Sequence, residues 1–209
     1  MSLINKNETV LFQGDSITDT NWDRSNDKFI GYGYPTIVSA WYSSLYPENN
    51  VRFLNRGISG NRIGDLLKRV QKDFIDIEPS WVSIMIGIND CWHRYSHNIP
   101  TSAGEFERGY RDLLTKITQN TNAKLVLCEP FLLEVEPEQE KWREDLDPKI
   151  DVVRKMSKEF ETLLVPLDGI FREAGKKSSK EFWSEDGVHP TSAGHGLIAR
   201  AWLTTMGII

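Results

Sequence analysis

Short apolar runs alternate along the chain with longer stretches in which apolar residues recur every three or four positions. The runs are rich in β-branched and aromatic residues and cover residues 9–12, 51–54, 81–86, 124–127 and 163–167. Such short runs are typical of buried strands. The stretches between them carry the apolar stripe of a helix, seen at Ile63, Leu66, Leu67, Val70, Phe74 and Ile77, at Phe106, Tyr110, Leu113, Leu114 and Ile117, and at Ile150, Val153, Met156 and Phe160. Two more helices are predicted, one from about Pro35 and one from about residue 191 to 202.

This alternation predicts repeated βα units around a parallel sheet. We expect an α/β fold in which a five-stranded parallel sheet lies between helices on both faces, which is a three-layer αβα sandwich. The 209 residues contain no internal repeat and no linker, and they suffice for one well-buried domain. We therefore expect a single domain over residues 1–209.

The net charge and the cysteine content indicate which binding partners and which cellular compartment to expect. The chain has 30 acidic and 25 basic side chains, a formal net charge of -5. Nucleic acids and anionic membranes require clustered Lys and Arg, so neither is expected as a partner. The only two cysteines, Cys91 and Cys128, favour a reducing compartment over a disulfide framework. No apolar run is long enough for a signal peptide or a membrane span, and we expect a soluble, cytoplasmic protein.

Polar side chains follow the first and third predicted strands, at the sheet edge where ligands of α/β proteins bind. After the first strand, Gly14 permits a tight turn that presents the Ser16 hydroxyl. After the third comes Gly87-Ile88-Asn89-Asp90, in which the Asn89 amide is a hydrogen-bond donor aimed at the same crevice. Oxyanion stabilisation in acyl transfer needs such donors. Each segment has an alternative interpretation, since Gly-Asp-Ser is also an ordinary strand-ending turn and asparagine a common helix cap.

A turn with two glycines follows the second predicted strand, in the segment Asn55-Arg56-Gly57-Ile58-Ser59-Gly60-Asn61. The glycines leave backbone N–H groups accessible near a helix start. The dinucleotide-binding fingerprint is absent, because the first strand is followed by a single glycine and then an acid. Taken alone, the turn fits any βα connection.

The most specific segment is Asp186-Gly187-Val188-His189-Pro190, directly before the last predicted helix. A carboxylate three residues before a histidine can bond one ring nitrogen and leave the other facing the crevice, where His189 would take a proton from Ser16. The alternatives are an incidental turn or half of a metal site, and the metal site lacks a second histidine at ligand spacing. The other histidines are weaker candidates for a base: His93, His97 and His195.

The chain resembles the SGNH hydrolases, also called GDSL esterases, over residues 12–190. The four signature blocks of that family are matched by Gly14-Asp15-Ser16-Ile17-Thr18, Gly57, Gly87-Ile88-Asn89-Asp90 and Asp186-Gly187-Val188-His189-Pro190. Ile17 stands where the family name expects leucine, which is a conservative change. The resemblance implies a flavodoxin-like αβα fold and a reaction that requires no metal and no cofactor.

The resemblance also implies a role for each matched residue. Ser16 would be the nucleophile, with Asp186 and His189 completing a catalytic triad. The oxyanion hole would be formed by the Ser16 N–H, the Gly57 N–H and the Asn89 side chain.

Residues 81–92 resemble the branch of the family that includes bacterial carbohydrate acetylesterases, such as acetylxylan esterases. Indoles stack on the apolar faces of sugars, so the substrate-binding candidates are Trp22, Trp92 and Trp183, together with Asp15. We expect a serine esterase that deacetylates small-molecule or oligosaccharide esters through an acyl-serine intermediate. A lysophospholipase or thioesterase of the same family and a non-catalytic carbohydrate-binding module are the alternatives. Assembly into a homo-oligomer is left open.

A polar segment after the fourth strand, residues 134–147, holds seven acids and two bases. Its local charge of -5 equals the net charge of the whole chain. One interpretation is a solvated loop whose charge aids solubility. The other is that this loop borders the crevice and disfavours anionic esters.

Overall fold

The computed structural model describes residues 2–209. Five strands form one sheet: β1 (Thr9–Gly14), β2 (Arg52–Asn55), β3 (Trp81–Met85), β4 (Lys124–Cys128) and β5 (Leu163–Val165). Their order across the sheet is β2-β1-β3-β4-β5, and every neighbouring pair is parallel. This is the flavodoxin-like order, so the predicted α/β fold is confirmed.

Within residues 2–209, ten α-helices accompany the strands: α1 (Ser16–Asp19), α2 (Tyr34–Leu45), α3 (Ile63–Lys68), α4 (Val70–Asp73), α5 (Ile88–His97), α6 (Ala103–Asn120), α7 (Arg143–Glu159), α8 (Leu167–Ala174), α9 (Lys180–Trp183) and α10 (Ser192–Thr205). Short 3-10 helices cover Pro47–Asn49, Ile75–Ile77 and Pro137–Trp142. No helix in this part of the chain has the length and the apolar character needed to cross a membrane.

Helices cover both faces of the sheet. Side chains alternate along a strand, so Val10 and Phe12 belong to one hydrophobic core and Leu11 belongs to the other. The first core is completed by residues of α2, α8 and α10, and the second by residues of α3, α4, α6 and α7. The molecule therefore has the three predicted layers.

The strand order determines where a ligand can bind. Strands β1 and β3 are neighbours, but the chain leaving β1 continues to β2 on one side and the chain leaving β3 continues to β4 on the other. A crevice opens outside the carboxyl ends of the strands at such a switch point. Ser16 follows β1 and Asn89 follows β3, so both lie at this crevice.

Strand β5 is shorter than the sequence predicts. It ends at Val165 rather than at residue 167, and Leu167 begins α8. Pro166 lacks the N–H that would continue the ladder. The apolar run therefore combines a strand end with a helix start, which hydrophobicity alone does not separate.

The apolar stripe predicted as one helix over residues 63–77 folds as α3, α4 and the 3-10 helix Ile75–Ile77. The helix is interrupted at Arg69, whose backbone has φ -111° and ψ 11°. The Arg69 guanidinium donates to the Asn61 side chain, the Arg56 carbonyl and the Asp73 carboxylate. These bonds tie Arg69 to the turn after β2, and the helix bends there while its apolar face stays buried.

The acidic segment of residues 134–147 is not the loop that its charge suggests. Pro137–Trp142 is a 3-10 helix, and α7 begins at Arg143. Gln139, Trp142 and Leu146 are buried, while most of the acids between them are exposed. Buried positions three and four residues apart form the inner face of a helical segment. The segment is therefore helical although most of its side chains are charged.

Candidate active site

Ser16 lies at the tight turn between β1 and α1. Gly14 is needed at the end of β1, because an added Cβ would overlap a carbonyl of β3 and the Thr18 side chain. The Asp15 carboxylate accepts a hydrogen bond from the Ile17 N–H at 3.0 Å and caps α1. Ser16 is therefore held as the first residue of a helix, at the crevice end of the sheet.

The structure brings Ser16, His189 and Asp186 into one hydrogen-bonded chain. Ser16 Oγ lies 2.9 Å from His189 Nε2, and His189 Nδ1 lies 2.7 Å from Asp186 Oδ2. Because an ionised carboxylate only accepts, Nδ1 carries the proton and Nε2 accepts from the Ser16 hydroxyl. This geometry suits proton transfer from the serine to the imidazole.

The hydrogen bond between Asp186 and His189 shifts the pKa values of the two residues in opposite directions. Burial alone would raise the pKa of Asp186, but hydrogen bonds from the His189 ring, the His189 N–H and the Val188 N–H hold that pKa well below its usual value. The hydrogen bond that the His189 ring donates to Asp186 raises the pKa of His189 against the opposing effect of burial. Asp186 therefore remains ionised at the pH where His189 gains its proton.

Asn89 supplies a side-chain donor at the same crevice. It lies in the first turn of α5 and is buried. One N–H of its amide donates to the Asn61 carbonyl at 3.1 Å, which fixes the orientation of the amide. An amide NH₂ has two donors, so the second can stabilise a developing oxyanion.

The structure contradicts the prediction that the Gly57 N–H belongs to the oxyanion hole. That N–H donates to Asn55 Oδ1 at 2.8 Å, and the Gly57 carbonyl accepts from Trp22 Nε1 at 2.8 Å. Gly57 is buried, and an added Cβ would overlap the backbone of α1. Its role in this chain is close packing, because both of its backbone polar groups already have partners.

Gly60 is the glycine of this turn whose N–H is free to bind a ligand. It is exposed and has φ +78°, and its N–H donates to no acceptor among residues 2–209. It adjoins Asn61, whose carbonyl orients Asn89. The only sequence signal for it is its residue type, as the second glycine of Gly57-Ile58-Ser59-Gly60.

Trp92 is the predicted sugar-binding tryptophan that lies against the triad. Its ring centroid is 5.7 Å from that of His189, and it is half-buried. Behind it, Trp142 packs at 5.7 Å, and Tyr95 stacks on Trp142 at 5.4 Å. This aromatic row makes Trp92 a rigid surface beside the reacting groups.

The other two predicted tryptophans have packing contacts of their own. Trp22 is only 8% exposed, and the guanidinium groups of Arg24 and Arg56 lie 4.5 and 4.8 Å from its ring centroid. Trp183 donates from its indole to the Ala174 carbonyl at 3.0 Å and packs against the core on the α8 side. Both side chains therefore have packing roles, and contact of either with a sugar stays a prediction.

Asp15 is also unavailable for direct substrate contact. It is 1% exposed, and its carboxylate is directed to the N-terminus of α1. Burial raises the pKa of Asp15 to about 7. The residue therefore shapes the turn that carries Ser16.

The remaining histidines lie outside the hydrogen-bonded chain. His93 and His97 are neighbours near the end of α5, with ring centroids 4.8 Å apart. His195 accepts from the Tyr34 N–H at 3.2 Å and caps α2, and burial lowers its pKa to about 4. Within residues 2–209, no group of three or more His, Cys, Asp or Glu side chains could hold a metal ion.

The acidic segment lies against the triad, but most of its charge is balanced by neighbouring cations. The paired acids are Glu134 with Lys180 and Arg143, Glu144 and Asp145 with Arg94, Asp145 with Lys149, and Asp147 with Arg143. Three exposed acids have no ion pair in the described part of the chain: Glu136, Glu138 and Glu140. Gln139, between them, donates to the Asp186 carbonyl at 2.7 Å. The segment therefore borders the turn of residues 186–189, here called the triad turn. Its effect on anionic esters stays a prediction.

Comparison with known proteins supports the same chemistry. The sequence model of the GDSL-like Lipase/Acylhydrolase family matches residues 12–197. An acetylxylan esterase of Geobacillus stearothermophilus is 36% identical over 98% of this chain and 96% of its own length. These matches cover nearly the whole chain.

Solved structures agree. A structure assigned as a GDSL-like lipase from Parabacteroides merdae has a TM-score of 0.95 at 34% identity and covers 100% of both chains. The structure of Axe2, an acetylxylan esterase from Geobacillus stearothermophilus, has a TM-score of 0.91 at 36% identity and covers 98% of this chain and 96% of that chain. Other Axe2 structures are of catalytic mutants in which a serine, an aspartate or a histidine is replaced by alanine. This chain therefore belongs to the GDSL-like lipase/acylhydrolase family and is an esterase of the GDSL, or SGNH, type.

Proposed function

We propose that this esterase removes acetyl groups from acetylated carbohydrates, with Ser16 as the nucleophile. The observation that carries the proposal is the hydrogen-bonded chain from Ser16 Oγ through His189 to Asp186. It supplies a nucleophile, a general base and a carboxylate that orients the base.

In the first half of the reaction, His189 Nε2 accepts the Ser16 proton as Ser16 Oγ attacks the acyl carbonyl. The carbonyl oxygen gains negative charge next to three donors: the Ser16 N–H, the Gly60 N–H and the Asn89 amide. The imidazolium, stabilised by Asp186, then gives its proton to the departing alcohol. An acyl-serine remains.

In the second half, water enters and His189 accepts its proton. The hydroxide equivalent attacks the acyl carbon, the same donors hold the oxyanion, and His189 returns the proton to Ser16 Oγ as acetic acid leaves and gives its own proton to solvent. The enzyme regains its starting protonation state.

Two observations support a sugar acetate as the substrate. The 36% identical relative from Geobacillus stearothermophilus is an acetylxylan esterase. In this chain, Trp92 presents an aromatic surface next to the ring of His189, the base that would protonate the leaving alcohol. A sugar alcohol has apolar C–H faces that stack on indole rings.

An acyl-length series tests the size of the acyl group. We expect kcat/KM for p-nitrophenyl esters to be highest with acetyl and to fall steadily from C2 to C12. The measurement is initial-rate kinetics at one pH, with Ser16→Ala as the blank for uncatalysed hydrolysis. A maximum at C8 or longer would contradict the acetyl proposal and favour a lysophospholipase or a long-chain thioesterase.

Substitution of Trp92 tests the sugar. We expect Trp92→Ala to raise KM for acetylated xylo-oligosaccharides about 2- to 10-fold, because a stacked aromatic contact is worth roughly 0.5–1.5 kcal/mol. The KM for p-nitrophenyl acetate should change little, since this ester carries no sugar ring. Trp41→Ala is the matched control, because Trp41 is exposed on α2. Equal effects of Trp92→Ala on both substrates would contradict a sugar platform.

A further inference from the structure

The chain that follows β4 contacts the triad turn at two points, and the Gln139 side chain makes one of them. Gln139 Nε2 donates to the Asp186 carbonyl at 2.7 Å. The Leu133 N–H donates to the Gly187 carbonyl at 3.0 Å. The main chain of residues 186–187 is therefore bonded directly to residues 133–139.

Both polar atoms of the Gln139 amide are used. Its Oε1 accepts from the Val135 N–H at 2.9 Å and from the Glu136 N–H at 3.0 Å. The side chain is 5% exposed, so water does not compete effectively for these bonds. The Gln139 amide thus links the backbone of residues 135–136 to the backbone of Asp186.

Gly187 makes this contact close. Its φ is +81°, and an added Cβ would overlap the Leu133 carbonyl oxygen and the Gln139 amide. Only a glycine at this position lets the turn lie so near the Gln139 side chain.

The Asp186 carboxylate does not itself anchor the turn to the rest of the molecule. Its Oδ1 accepts from the Val188 and His189 N–H groups, and its Oδ2 accepts from the His189 ring. Its remaining contact is with Ser184, two residues earlier. These bonds set the shape of the turn, whereas its position relative to Ser16 depends on contacts with other segments.

We propose that Gln139 is a positioning residue for the reaction, which acts by holding the Asp186 main chain so that His189 stays in reach of Ser16. The inference rests on the proposed function, because it requires His189 to be the base. It gives the segment after β4 a role in catalysis that its charge does not suggest. A displacement of about 1 Å in a reacting group can lower the rate about 100-fold.

Two variants separate this role from packing. Gln139→Met keeps the length of the side chain and removes all three hydrogen bonds, whereas Gln139→Glu keeps an acceptor for the Val135 and Glu136 N–H groups and removes the donor to Asp186. We expect both to lower kcat for p-nitrophenyl acetate by about 10- to 100-fold with little change in KM. Gln71→Glu is the matched control, because Gln71 is exposed on α4.

The pH profile supplies a readout that loss of stability would not move. The titratable groups that face His189 are Asp186, Asp15 and His195. The hydrogen bond that the His189 ring donates to Asp186 raises the pKa of His189, so a displaced Asp186 lets that pKa fall. We expect the acidic limb of kcat/KM to move to lower pH in Gln139→Met, whereas in Gln139→Glu the added carboxylate opposes this shift.

The outcomes are distinguishable. Lower melting temperatures with unchanged kcat and an unchanged acidic limb, assayed below unfolding, would overturn the proposal and leave Gln139 a structural residue. Asp186→Asn is measured alongside. If that variant kept full activity, the proposed function itself would fail, whereas its inactivity beside fully active Gln139 variants would refute only the role of Gln139.

Discussion

Replacement of Ser16 by alanine is expected to lower kcat for p-nitrophenyl acetate by about 10,000- to 1,000,000-fold. The variant has no hydroxyl to attack the carbonyl and cannot form an acyl-serine. Any residual rate would come from water acting beside the remaining donors and His189. Stopped assays over hours, with purified protein and a buffer blank, measure this residual rate.

The Ser16→Ala variant should remain folded. The side chain of Ser16 has one hydrogen-bond partner among residues 2–209, the His189 ring, so its loss removes no core contact. We expect an unchanged circular dichroism spectrum and a melting temperature close to that of the parent. Ser44→Ala, at an exposed position of α2, is the matched control.

Covalent labelling gives an independent reading of the same prediction. A fluorophosphonate probe should label the parent protein at Ser16 and should not label Ser16→Ala. Near-parental hydrolysis by Ser16→Ala, or labelling of another serine, would refute the assignment of the nucleophile.

Replacement of Asp186 by asparagine is expected to lower kcat by about 10,000-fold. An amide can present an N–H to His189 Nδ1, which favours the tautomer whose proton is on Nε2. That tautomer cannot accept the Ser16 proton. The neutral amide also gives the imidazolium no compensating charge.

The pH dependence of Asp186→Asn follows from the same contact. In the parent protein, Asp186 raises the pKa of His189 above the usual 6.5, so kcat/KM should fall as pH decreases with a midpoint above 6.5. Asp186 keeps its charge through this range, because its own pKa is held well below its usual value. The limb therefore reports His189 rather than Asp186. In Asp186→Asn the midpoint should move to lower pH.

Asp151→Asn is the control for this substitution. Asp151 is exposed on α7 and forms an ion pair with Arg154, far in sequence from the triad turn. We expect its kcat and pH profile to match those of the parent. Unchanged kcat in Asp186→Asn would remove the carboxylate from the proposed mechanism.

The residues of the triad could be predicted because each lies in a short segment with a strong local preference. The tight turn after β1 requires a glycine at position 14. Asp186 and His189 are three residues apart, and the His189 N–H and ring both donate to the Asp186 carboxylate within one turn. Local constraints of this kind act in any fold that contains the segment. The tertiary structure added the 2.9 Å approach of Ser16 to His189 across 173 positions of sequence.

The main-chain donor could not be predicted in the same way. Gly57 and Gly60 have the same residue type and lie in one turn, and a backbone N–H has no sequence signal of its own. The Asn55 side chain occupies the Gly57 N–H, while Gly60 faces outward. Whether the Gly57 or the Gly60 N–H is free depends on which hydrogen-bond acceptors the fold places next to them.

The tryptophans and the acidic segment show the same limit. Trp22, Trp92 and Trp183 all follow or precede crevice loops, but only the packing decides that the Trp92 ring lies against His189. Residues 134–147 are strongly charged, yet Gln139 and Trp142 face inward and make the segment helical. The charged residues of this segment are predicted to be exposed. Their charge does not show which groups the uncharged residues between them contact.

By itself, the sequence determined the alternation of strands and helices and the parallel sheet with covered faces, and it singled out Ser16, Asp186, His189 and Asn89 as candidates. These follow from hydrophobic periodicity and from turns whose geometry is local. The tertiary structure alone decided that Gly60 rather than Gly57 offers a free N–H, that Trp92 flanks the triad, and that Gln139 holds the Asp186 turn. The physical reason is that these properties depend on hydrogen bonds and contacts between segments distant in sequence, which no local pattern encodes.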